Sequence, residues 1–155
     1  PYKVLAEIRP GVPRGATMEV FSTWSGNNTV AIHQFRRWGL IGLWVYELDG
    51  DKVKRVHPVL DEVRKVFKKD FTDRVRKKYP KEHETIIFVS GEGEEDPVPA
   101  FEFKGRKLVL NFFADNKPNL APGVHWNATF AGEWNLDTGK LENAKLTPGE
   151  LEVRE

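Results

Sequence analysis

The sequence has no cysteine, which removes disulfides, thiolate nucleophiles and cysteine-ligated zinc or iron–sulfur centres together. It has one glutamine, Gln34, one methionine, Met18, and three serines, Ser22, Ser25 and Ser90. None of these serines stands in a nucleophile-elbow context, and no glycine pattern forms a phosphate cradle. No apolar run reaches the roughly 18 residues that cross a bilayer, and the first residues carry no signal-peptide pattern. No membrane partner is therefore expected. The compartment expected is the cytoplasm, with secretion left open. The four histidines, His33, His57, His83 and His125, follow no H-x-x-x-H spacing, so neither a metal nor a cofactor is expected.

What is present suits one folded domain. A chain of 155 residues buries roughly two-thirds of its unfolded surface, enough for one core, and 10 Phe, 5 Trp and 3 Tyr can make that core aromatic. Lys and Glu are abundant while Gln, Met and Cys are depleted, a bias of hyperthermophile proteins that deliberate sequence idealisation reproduces. The formal net charge of +1 hides an asymmetry. Residues 52–81 carry 12 Lys/Arg against 4 Asp/Glu, net +8, and residues 82–155 carry 7 against 14, net −7.

Alternation and turn chemistry predict strands over 2–9, 17–24, 29–38 and 40–48, the last buried on both faces. The triplet Asp49-Gly50-Asp51 predicts a hairpin turn into 52–56. Further strands are expected over 84–90, 100–103, 107–113, 125–136 and 141–146. An acidic loop follows Gly91, a longer loop runs over 114–123, and the residues from Pro148 are expected to fray. Between Pro58 and Pro80, Val59, Leu60, Val63, Val66, Phe67, Phe71, Val75 and Tyr79 recur every three or four residues, the period of an amphipathic helix. Its acidic start (Asp61, Glu62) and basic end (Arg74, Arg76, Lys77, Lys78) complement the helix dipole. The expected fold is α+β: a mostly antiparallel, hairpin-rich sheet packed against one long amphipathic helix, in a single domain over 1–155.

Three classes of function fit these residues. The first is a non-enzymatic binding module for single-stranded DNA or RNA. Lys65, Lys68, Lys69, Arg76 and Lys77 on the helix, extended by Arg36 and Arg37, would meet phosphates, and Trp38 would stack a base. The same cations equally make a solvated helix face. The second is a protein-interaction or self-association module, steered by the charge asymmetry or by a free sheet edge. The third is an enzyme or small-ligand binder whose site converges from strands and loops, with His33, His125 and Glu133 as catalytic candidates if they meet. The aromatic positions Trp126, Phe130 and Trp134 share a strand face, which is either the core or a binding platform. The acidic run Glu92 to Asp96 lacks the ordered spacing of a calcium loop.

Overall fold

The computed structural model describes residues 18–36, 39–79, 87–91, 101–116 and 123–154. The strand expected over 2–9, the acidic run at 92–96 and the helix stop at Pro80 lie outside them.

Two antiparallel sheets and one helical segment make up the described fold. The first sheet is a meander of β1 (Met18–Ser25), β2 (Thr29–Arg36), β3 (Gly39–Asp49) and β4 (Lys52–Pro58), paired in sequence order. The second contains β5 (Ile87–Ser90), β6 (Glu102–Lys104), β7 (Lys107–Asn116), β8 (Gly123–Asn135) and β9 (Lys140–Arg154). Its order is β5-β7-β8-β9, with β6 pairing the opposite end of the β7 edge that β5 uses. Hydrophobic period fixes which residues face inward, but not which strands share a sheet. The expected sheet is accordingly two. They approach closely where Gly39 opens β3: with φ +138, a Cβ there would stand 2.6 Å from the Val89 carbonyl oxygen. Only glycine admits that contact.

The helix α1 spans Val59–Phe71 and continues as a π-helical turn over Thr72–Arg76. Val59, Leu60, Val63, Phe67, Phe71 and Val75 are all buried, the stripe that the three- and four-residue spacing predicts. Phe67 meets Trp126 and Phe130 edge-on at 6.2 and 6.0 Å, and Phe71 meets Trp126 at 5.6 Å. Trp126 and Phe130 are thus core residues rather than a binding platform, and Trp134 is buried with them. Two arginines tie the helix to both sheets. Arg64 donates to the Leu40 carbonyl of β3, and Arg74 donates to the Asn127 and Gly149 carbonyls of β8 and β9.

Two expectations about irregular segments are corrected. The loop expected to begin at Ala114 is strand as far as Asn116. There the buried Asn116 amide takes the place of a neighbouring backbone: its Nδ2 donates to the Val124 carbonyl and its Oδ1 accepts the Trp126 N–H. The residues after Pro148 do not fray but continue β9 to Arg154. Pro148 is tolerated because β9 ends the order of described strands and because the pairing with β8 shifts register there, between Trp126 and Ala128.

Candidate functional site

The helix cations lie on its outer face. Lys65, Lys68, Lys69, Arg76 and Lys77 are exposed, but acids share that surface. Lys65 pairs with Glu62 at 2.6 Å, and Asp73 takes both Lys69 at 3.0 Å and Lys77 at 2.7 Å. These two lysines hold the Asp73 carboxyl below its ordinary range. Arg36 is half-buried at the end of β2, and Arg37 and Trp38 lie outside the described residues. The exposed aromatic residues among those described, Phe21 and Trp24, stand on β1, which packs on β2 and β6.

The three catalytic candidates occupy separate places. His33 is buried on β2, stacked on Phe21 at 5.1 Å and edge-on to Phe101 at 4.8 Å, with neither ring nitrogen hydrogen-bonded among the described residues. His125 lies on β8 with Nδ1 3.7 Å from a Glu152 oxygen. Glu133, eight residues further along that strand and so about 25 Å away, accepts from Lys107 and Asn143. His125 and Glu133 do not meet, and His33 belongs to the other sheet.

Burial pushes the His33 pKa down. The folded protein therefore binds this proton less readily than the unfolded chain does. Stability tied to His33 is complete above the unfolded value near 6.5, and it is lost as pH falls from there through the lowered folded value. We expect the urea midpoint to fall between pH 7.5 and 5, and His33→Phe, which keeps an aromatic ring between Phe21 and Phe101, to flatten that fall. An equal pH dependence in both proteins would refute the assignment.

A different group of side chains converges on a cleft of about 310 Å³ where β4 runs into the helix. Its walls are Arg55, Val56, His57 and Pro58 from β4, Glu62 from α1, Trp134 from β8, and Gly139, Lys140 and Leu141 from the β8–β9 hairpin. Register brings the polar members together. In the β3–β4 hairpin Val45 opposes His57 and Glu47 opposes Arg55, so Glu47, Arg55 and His57 fall on one face, towards the second sheet. His57 is only 2% exposed, and its Nε2 lies 2.8 Å from Glu47 Oε1. Arg106 reaches from the β6–β7 turn to the other Glu47 oxygen at 2.8 Å and to Asp137 at 2.9 Å. Burial tends to raise the Glu47 carboxyl pKa, but the His57 and Arg106 hydrogen bonds outweigh it and hold the group below its ordinary range. Glu47 is a carboxylate at neutral pH.

The far wall is a rigid turn. Asn135 Oδ1 accepts the Asp137 and Thr138 N–H groups, and Gly139 N–H donates to the Asn135 carbonyl. Arg55 Nη1 donates to the Leu136 carbonyl, which aligns the guanidinium with this turn. Gly139 has φ +65, and a Cβ on it would stand 2.6 Å from Arg55 Nη2 and 3.7 Å from His57 Nδ1. Gly139→Ala should therefore cost about 1–2 kcal/mol from the left-handed backbone alone and push the Arg55 head aside. Urea unfolding checks the cost, and a loss below about 0.3 kcal/mol would contradict the geometry.

The helix begins here with Pro58 at its N-cap and no side-chain cap, so the first helical N–H groups and the positive end of the dipole lie beside the cleft. Arg55 and Lys140 add two cations. Trp134 contributes a ring edge-on to His57 at 5.8 Å, and its buried indole N–H has no hydrogen-bond partner among the described residues. Among the described residues no three His, Asp or Glu side chains gather as a metal site. No helix of the described residues is long and apolar enough to cross a membrane. Comparison with protein-family models, curated proteins and solved structures finds no match to the chain.

Spacing rules pass over this site. Its one local signal is the run of polar residues Glu47, Arg55 and His57 at same-face positions of a predictable hairpin. Arg106, Trp134 and Gly139 join them only through the tertiary fold.

Proposed function

We propose that this protein is a small-ligand-binding domain whose cleft, converging from β4, α1 and the β8–β9 hairpin, takes a small anionic molecule. The observation that carries this reading is that Arg55, Lys140 and the uncapped start of α1 border one cleft, beside a buried histidine oriented by Glu47. Anions gain from guanidinium, ammonium and helix N-terminal donors at once. Val56, Trp134 and Leu141 supply apolar wall for a carbon skeleton. Calorimetric titration with inorganic phosphate, sulfate and small carboxylates tests it. Saturable binding is expected, with Lys140→Glu weakening it at least about tenfold by putting like charge in the cleft. No saturable binding up to tens of millimolar would end the proposal.

A second reading is single-stranded DNA or RNA along the outer helix face. It is supported by the common exposure of Lys65, Lys68, Lys69, Arg76 and Lys77. Phosphates would have to displace Glu62 and Asp73, and exposed pairs of that kind are weakly held because solvent screens them. Asp73→Asn, which releases Lys69 and Lys77, should tighten binding of labelled single strands several-fold at low salt. Fluorescence anisotropy with a flat salt response would dismiss this reading. Self-association has its own support in Val20, Phe21 and Trp24, exposed on β1 at the end of the described strand order. Light scattering that stays monomeric at high concentration would dispose of it.

A further inference from the structure

Resting on the anion-binding reading of the cleft, we infer that its ligand carries a hydroxyl or amine donor beside the oxyanion, as a hydroxy acid or a sugar phosphate does. The ligand's polarity follows from which nitrogen of His57 holds the proton. Glu47 accepts from Arg106 through one oxygen and lies 2.8 Å from His57 Nε2 through the other. An ionised carboxylate has no proton to give, so Nε2–H must be the donor in that contact. In the neutral ring Nδ1 is then a bare lone pair, and no described residue hydrogen-bonds to it.

An oxyanion placed against Nδ1 would meet that lone pair and be repelled. The negative group belongs instead against Arg55 Nη2, the Lys140 ammonium and the helix N-terminus, while the atom facing Nδ1 must be a donor. Glu62, on the helix side of the cleft, is a second acceptor and favours the same ligand polarity. The charged and titratable groups around the ring are Glu47 from β3, Arg55 from β4, Glu62 from α1, Arg106 from the β6–β7 turn, and Asp137 and Lys140 from the β8–β9 hairpin.

Calorimetry at pH 8 tests this with two matched pairs, inorganic phosphate against glucose 6-phosphate and propionate against lactate. The pair that responds tells a sugar phosphate from a hydroxy acid. The hydroxylated member should bind about tenfold tighter, the gain of one well-formed hydrogen bond. The second probe is His57→Gln, whose amide nitrogen can keep the bond to Glu47 while Nδ1 is deleted. It should lose the hydroxyl preference, so that the two members of the responding pair bind within about threefold of each other. Equal affinities within both pairs would overturn this inference and leave the anion site standing. A preference that survives His57→Gln would overturn the role of His57. Failure of all four probes to bind would remove the cleft reading and this inference with it.

Discussion

Replacing Phe67 by alanine is expected to destabilise the protein by about 3–5 kcal/mol, the range for deleting a fully buried phenylalanine. Phe67 has no solvent exposure and projects from the middle of α1 onto the rings of Trp126 and Phe130, so it joins the helix to the second sheet. Neighbouring rings cannot close the gap, because Trp126 is also held by Phe71 and Phe130 lies beside Phe112 at 6.3 Å. The loss is thus transfer free energy plus a residual cavity. Against a typical total of about 5–15 kcal/mol it is a large share, and for a domain of this size it corresponds to a fall in Tm of about 10 °C or more. Phe67→Leu should cost less than half as much, since it retains most of the volume, and Lys68→Ala on the outer face should change stability by under about 0.5 kcal/mol. Circular dichroism against temperature and urea separates the three. A Phe67→Ala loss below about 1 kcal/mol would mean that the helix does not fill the space between the sheets.

That prediction draws on the most legible part of the sequence. A helix writes its inner face locally, every three or four residues, and Val59 to Val75 can be read before any fold is known. The hairpins were legible for the same reason: Gly50, Gly105 and Gly139 stand at turn positions with φ near +60, where glycine is cheap and other residues are not. The division into two sheets was not, because strand partnership is settled by contacts far apart in sequence. Asn116 shows the limit at a single residue. An asparagine before a Pro- and Asn-rich stretch reads as loop, yet here it is buried and replaces a missing strand neighbour. The cleft was half legible. Glu47 and His57 come together through one hairpin register, which turn chemistry constrains, whereas Arg106 and Gly139 reach them only once the second sheet has closed over the first.

The second large effect belongs to Asp70, which holds the other end of the helix. Its Oδ2 accepts the Trp126 indole N–H at 2.9 Å and Arg74 Nη1 at 3.2 Å, while Arg74 also donates to the Asn127 and Gly149 carbonyls. These carbonyls lie where the β8–β9 pairing shifts register around Asn127, beside Pro148, which has no N–H to give. Arg74 supplies donors that the strand ladder lacks there, and Asp70 supplies the countercharge for a half-buried guanidinium. Asp70→Leu should cost about 2–4 kcal/mol, because it leaves a half-buried cation and a buried indole N–H without their acceptor at once. Asp70→Asn should cost about 1–2 kcal/mol, since the amide oxygen still accepts one bond but the charge is gone. The double variant Asp70→Leu/Arg74→Met distinguishes loss of a pair from loss of packing. With both charges removed, no ion is left uncompensated, and the double variant should be more stable than Asp70→Leu by about 1–2 kcal/mol despite the two carbonyls it abandons. If urea unfolding instead finds the two losses additive, Asp70 and Arg74 act independently, and the register shift of β8 and β9 must be held by the backbone alone.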